Sequence, residues 1–338
     1  MSITTHQRPG VYSAYDASAL VYGRGRGGLV GLAAVNTAVE AGTLTTVTSY
    51  EKAVSVFGTE GDMAILAGLA LRNGAGGVVC AAVADADGYE DAFALLCSRE
   101  DIPVMICDST SLTVQQKLRD SVVAASASRR ERIAVVGTTK GEKVDTMLTR
   151  AAGLNSERVV LVAPGAVDGE GAAISGNRVA ACVAGVLVSE PDPAIPLGGA
   201  VLQGLSGLSQ HYSDNELDQL ILGGVTPVEE LGGTVSVVRG VTTRTMTDGS
   251  YDSTWRDLCT IRVIDAVIPA LRASLRSKFR RAKNTPRAGA PSGRRWCWNW
   301  RISSPGRSSR PTTALPSLPM RLIPPGHWWI SILPWPTV

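Results

Sequence analysis

VVCAAVADADGYEDAFALLCSREDIPVMICD, residues 78–108, is the stretch on which the fold turns. It opens on VVCAAV (78–83), a run too short for a buried helix and rich in the β-branched residue valine. EDAFALLCSR (90–99) then repeats its apolar residues at helical spacing, and VMICD (104–108) is a second short apolar run. Strand, helix and strand within roughly thirty residues make a βαβ unit. The strands are continuously apolar rather than alternating, which predicts a parallel sheet covered on both faces.

The same grammar extends in both directions. Upstream lie the strand GLVGLAAV (28–35) and the helix DMAILAGLALRN (62–73), with Gly74 as its stop. Downstream come a helix over 112–127, the strand RIAVVG (132–137) and a helix over 144–152. The strand RVVLVAP (158–164) and a small-residue helix over 174–189 follow. This alternation predicts an α/β fold, a mixed or mostly parallel sheet core with flanking helices. EPDPAIPLGG (190–199) breaks the pattern with three prolines in six residues. Beyond it, Ser213 and Glu216 form a capping-box signature for a short helix. TVSVVRGVTTRT (234–245) reads as a strand, and 254–283 as one long helix that Pro269 should kink. The expected organisation is an extended N-terminal arm and hinge (1–27), an α/β core (28–190), a smaller α+β unit (191–287) and a tail (288–338).

Charge divides the chain unevenly. The net +3 conceals that no acid follows Asp265, while residues 286–338 carry seven arginines. Residues 1–285 therefore hold 26 cations against 30 acids, and the overall balance is no argument for nucleic-acid binding. Six cysteines without a CxxC pair read as buried free thiols of a reducing compartment. The first twenty residues lack the apolar core of a signal peptide, and no apolar run is long enough to span a membrane.

Chemical motifs fail on context. GRGRGG (23–28) fits the dinucleotide fingerprint at Gly23, Gly25 and Gly28 but precedes the first strand instead of following one. His6, His211 and His327 have no metal-ligand partner at helix spacing, and no GxSxG occurs. Asp85, Asp87 and Asp108 sit near strand ends, where isolated carboxylates more often cap loops and helices than catalyse. No catalytic, metal or cofactor site is expected, and the chain reads as an interaction protein rather than an enzyme.

Four stretches, in order, resemble contractile phage tail sheath proteins: RPGVY (8–12), VVLVAPG (159–165) with PDPAIPLGG (191–199), ELDQLILGGVTPVEELGGTVSVVRGVTTRT (216–245), and KFRRAKNTPR (278–287). The resemblance covers about residues 8–287 and is most specific over 159–287. It implies a structural subunit that polymerises with itself around an inner tail tube, meets baseplate and tail terminator proteins, and contracts to drive injection. It also implies a place in the virion tail sheath, assembled in the bacterial host cytoplasm, with no nucleic-acid or membrane partner. Subunits of that family are linked by exchanged strands, a form of β-augmentation. On this reading Arg8, Pro9, Gly10, Val11 and Tyr12 lie in the linking arm, and Gly23, Gly25, Gly27 and Gly28 form its hinge. Residues 191–287 become the assembly unit, with Val235, Val237, Val238, Arg239, Val241, Thr242 and Thr243 in the receiving strand. Two other readings stand beside it: an α/β enzyme with an unrecognised site, and a nucleic-acid or membrane binder working through the tail.

The match stops near Arg287, where RRWCWNWRISSPGRSSRP (294–311) begins. Tryptophan has a single codon, so Trp298-Asn299-Trp300 read one nucleotide back forces Glu-Leu. The same shift permits WCWNWRISSPGRSS (296–309) to become VLELEDKLAREII, an amphipathic, acid-rich helix. The tail therefore reads as out-of-frame and disordered sequence rather than a tryptophan-arginine platform for single strands or membranes.

Overall fold

A computed structural model of the chain describes residues 27–59 and 61–279. Ten strands and eight helices follow one another among these residues. They are β1 (Leu29–Val35), β2 (Leu44–Val47), α1 (Tyr50–Phe57), α2 (Asp62–Arg72), β3 (Gly77–Val83), α3 (Tyr89–Ser98) and β4 (Val104–Cys107). Next come α4 (Leu112–Ala127), β5 (Ile133–Gly137), α5 (Val144–Leu154), β6 (Val159–Ala163), α6 (Asn177–Ser189) and α7 (Asp214–Leu222). The last are β7 (Val225–Leu231), β8 (Thr234–Val237), β9 (Met246–Thr247), β10 (Ser250–Tyr251) and α8 (Leu258–Phe279).

Eight strands share one sheet in the order β2-β3-β1-β4-β5-β6-β7-β8. From β3 to β7 every pairing is parallel, and antiparallel β2 and β8 close the two edges. The alternation of side chains on each strand feeds two cores. Val30, Leu32 and Ala34 of β1 meet α2 and α6 on one face, while Ala33 meets the layer of α3, α4 and α5 on the other. The small residues of α6 have a specific purpose. A methyl group on Gly185 would lie 2.4 Å from the Ala70 carbonyl oxygen, so α2 and α6 cross almost backbone to backbone. Gly137, at the end of β5, is as close to Gly176 and Asn177 at the start of α6.

The βαβ reading of 78–108 and its neighbours holds, with element ends within a few residues. Two expectations change. The strand expected over 234–245 ends at Val237, because Thr242 and Thr243 give their N–H groups to Arg256 O and Val159 O instead of to β7, the partner of β8. The helix expected from 254 begins at Leu258, since Arg256 and Asp257 are spent on that same segment. Five elements went unread. β2 is four residues, two of them threonine, α1 spans only eight residues, β9 and β10 have two residues each, and β7 contains Pro227, which argues against a strand. The proline is tolerated because β7 changes partners there: it pairs with β6 through Pro227 and with β8 from Val228 onward.

The expected boundary at residue 190 does not divide the sheet. β7 and β8, both beyond the proline-rich connection, continue it directly from β6. The N-terminal arm and the tail over 288–338 lie outside the described residues.

Candidate assembly site

In an α/β fold, ligands bind beyond the carboxyl ends of the strands where the strand order reverses, here between β1 and β4. That crevice is tied shut. Asp108 accepts hydrogen bonds from Val35 N at 2.9 Å and from the Tyr89 hydroxyl, and its carbonyl accepts from Asn177 Nδ2. Burial raises the Asp108 carboxyl above its usual range, although those hydrogen bonds pull the other way. Asp85 caps the turn before α3 by accepting from Asp87 N and Gly88 N. Asp87 is exposed. The cavity beside β1, bounded by Asn36, Phe57 and Gly61, has its one buried amide spoken for: Asn36 donates to Phe57 O and accepts from Ala38 N. No group of three or more His, Cys, Asp or Glu side chains that could hold a metal occurs among the described residues. Nor is any described helix long and apolar enough to cross a membrane.

The structurally distinctive region lies at the far edge of the sheet. Gly232 and Gly233, both at positive φ, make the two-residue turn between β7 and β8, the geometry that suits a right-twisted hairpin. Val235 and Val237 are buried in β8. The outer edge of β8 is already occupied by the chain itself. Leu202 N donates to Val235 O at 2.8 Å, Val237 N to Ala200 O at 3.0 Å and Gly199 N to Val237 O at 2.7 Å.

The rest of the expected receiving strand stitches several elements together. Val238 N donates to Pro227 O, and Arg239 pairs with Asp257 at 2.8 Å. Val241 exchanges two hydrogen bonds with the Thr226 hydroxyl, each 2.9 Å. The buried Thr242 hydroxyl donates to Trp255 O, and that of Thr243 donates to Ser156 O. Sequence reading missed Thr226, Ser156, Trp255 and Asp257, because their partners lie far along the chain and obey no spacing rule.

Two further features follow β8 along the chain. β9 and β10 form a separate hairpin turned by Asp248 and Gly249, both at positive φ. Asp252 ties its base by accepting from Thr254 N and the Thr247 hydroxyl, and hydrogen bonds from Thr254 and Thr247 bring its carboxyl down to about 2. Asn155 binds the β9 backbone at Met246 on both N–H and C=O. Tyr251 of β10 is 58% exposed, and no strand pairs with the outer side of β10 among the described residues. Helix α8 is bound back by arginines: Arg158 to Asp265, Arg272 to Glu131, and Arg262 to the carbonyls of Leu187 and Glu190. Burial raises the Asp265 carboxyl despite the Arg158 guanidinium beside it.

The expected hinge needs correcting in part. Gly28 N donates to Val188 O and its carbonyl accepts from Gly76 N. A methyl group on Gly27 would lie 2.1 Å from Gly74 O. Gly27 is held by that close approach and Gly28 by its two backbone hydrogen bonds, so neither is free to pivot here. Gly23 and Gly25, with Arg8 to Tyr12, lie outside the described residues.

Comparison with known proteins brings in phage tail sheath proteins. Residues 82–243 match the phage tail sheath protein central domain. The chain is 30% identical over 196 residues to the tail sheath protein of Bacillus phage SP01, covering 53% of this chain and 31% of that protein. It is 26% identical over 201 residues to the tail sheath protein of Mycobacterium phage Bxz1, covering 54% and 34%. The match thus spans about a third of the length of these curated relatives. Among solved structures, the sheath tail protein from Desulfitobacterium hafniense superposes with a TM-score of 0.65 at 13% identity, over 87% of this chain and 88% of that one. The helical sheath of the anti-feeding prophage in its contracted state gives 0.64 at 15% identity, over 90% and 87%. At those identities the structures speak to fold alone.

Proposed function

We propose that this chain, whose residues 82–243 match the phage tail sheath protein central domain, is a structural subunit of a contractile tail, polymerising with itself around an inner tube. The observation that carries this is the family match over residues 82–243, which covers most of the parallel sheet. The tied-off crevice at Asp108 agrees with a structural role. The partners proposed are copies of this chain, the inner tube, and the baseplate and terminator that bound a tail, all in the virion tail assembled in the host cytoplasm. Contraction is a rigid-body rearrangement of subunits linked by flexible arms.

Arg8 to Tyr12 remain the proposed linking arm, with its pivot at Gly23 and Gly25, ahead of the clamped Gly27. The receiving edge is proposed at β10 rather than at β8, because residues 199–202 already fill the β8 edge. A hairpin of two-residue strands is marginal by itself, and an added strand stabilises it.

The tail over 288–338 is proposed to be out-of-frame sequence. Electron microscopy of the chain with its C-terminal frame restored tests the assembly reading. Tubes or rings are expected, and a restored protein that stays monomeric at high concentration would overturn it.

A further inference from the structure

Four dipeptides in the chain, Asn73-Gly74, Asp87-Gly88, Asp168-Gly169 and Asp248-Gly249, share a latent reaction. Glycine carries no Cβ to shield its nitrogen, so that nitrogen can attack the side-chain carbonyl carbon of the residue before it. The attack needs a side chain free to turn toward the next peptide and a glycine N–H that nothing else holds. Sequence alone ranks Asn73 first, because a side-chain amide sheds ammonia more readily than a carboxyl sheds water. The fold reverses that order. Asn73 is buried; its Nδ2 donates to Leu69 O and Gln203 O, its Oδ1 accepts from Gln203 N, and Gly74 N is held by Leu71 O. Asp87 is exposed, but Gly88 N donates to both the carbonyl and the carboxylate of Asp85. The Asp168 carboxylate is occupied by Glu170 N and Ala172 N.

Asp248 and Gly249 meet both conditions. Both are exposed at the tip of the β9–β10 hairpin. Among the described residues, nothing hydrogen-bonds to the Asp248 carboxylate or to Gly249 N, and no atom stands within 4 Å of where a Cβ on Gly249 would lie. The structure assigns Asp248 as the site of spontaneous isoaspartate formation in this chain. In the neutral acid, Gly249 N attacks Asp248 Cγ; the N–Cγ bond forms, and the carboxyl hydroxyl leaves with the amide hydrogen as water. Water then adds to the resulting cyclic imide at the main-chain carbonyl carbon of Asp248, and the bond from that carbon to Gly249 N breaks. The chain now runs through Cγ, longer by one methylene and unchanged in mass. A two-residue turn has no slack for the extra atom, so the two-residue strands lose the pairing of Thr247 with Ser250 and of Met246 with Tyr251. This modification does not depend on the assembly reading.

The full chain, kept folded and warm at mildly acidic pH, is digested, and the four junctions are quantified by electron-transfer mass spectrometry, which separates isoaspartate from aspartate. Isoaspartate at 248 should lead each of the other three by roughly tenfold, because those must first give up hydrogen bonds. In urea that lead should vanish and Asn73 should come first. Modification at 73, 87 or 168 as fast as at 248 in the folded chain, or an order that unfolding leaves unchanged, would overturn the proposal. Asp248→Asn supplies a second readout, since Asn-Gly suits the same turn and its deamidation registers as a gain in mass. Residue 248 should then deamidate faster than Asn73 in the folded variant, and the reverse order would count against the assignment. Hydrogen exchange over 246–251 should be faster in the aged chain than in the fresh one, and equal exchange would refute the loss of pairing.

Discussion

Glu142 shows how a single side chain carries structure here. Its carboxylate accepts from Thr139 N, from the Thr139 hydroxyl and from Arg150 Nε, and it is nearly inaccessible. Arg150 reaches on to Thr110 O and Gln115 Oε1, so one ion pair joins the loops after β4 and β5. Burial pushes the Glu142 carboxyl up, but the hydrogen bonds from Arg150 and Thr139 outweigh it and hold the group below its usual range. A depressed carboxyl stabilises the fold above its unfolded value, and that contribution is lost as pH falls through the folded one. Glu142→Gln should therefore cost about 3 kcal/mol at neutral pH, because Arg150 keeps its buried charge without a counterion. Urea denaturation should show the gap between variant and parent narrowing below the carboxylate range. Neither residue was legible as a pair, since eight positions across a loop and a helix turn match no charge-pairing rule.

Among elements, the close crossing of α2 and α6 and the open hairpin β9–β10 make opposite predictions. Gly185→Ala places a methyl group against the Ala70 carbonyl and the Asn73 side chain. It should destabilise the monomer by about 2 kcal/mol, read as a shift in denaturation midpoint. Tyr251→Pro removes an N–H at an exposed edge and should leave the monomer's stability within about 0.5 kcal/mol while lowering tube yield in the frame-restored chain. Unchanged tube yield by electron microscopy would exclude β10 as the receiving edge. The small-residue composition of α6 was visible in the sequence, and so was the Asp-Gly turn signal at 248–249, though it went unread. That residues 199–202 cover the β8 edge went unread because they follow a proline-rich connection and meet β8 through a single bridge at Val201 and backbone hydrogen bonds.

At the scale of the molecule, if the tail is out-of-frame as proposed, the chain as written should assemble poorly, and so should a truncation ending at Arg287, because both would lack an in-frame C-terminus. Sedimentation of both beside the frame-restored chain checks this, and equal polymer from all three would count against the out-of-frame reading of the tail. The alternation of short apolar runs with helical patterns determined the α/β class, the parallel core and most element positions, because burial on both faces and helical periodicity are local signals. The order of RPGVY, VVLVAPG, GVTP and VSVVRGVTT carried the resemblance to tail sheath proteins. Only the tertiary structure decided that β7 and β8 extend the same sheet, that residues 199–202 seal β8, that Gly27 and Gly28 are clamped, and that arginines tie α8 back. Each of those depends on which distant backbone or side chain arrives at a given edge. A hydrogen bond or an exposed face is settled by that neighbour, and no local pattern encodes it.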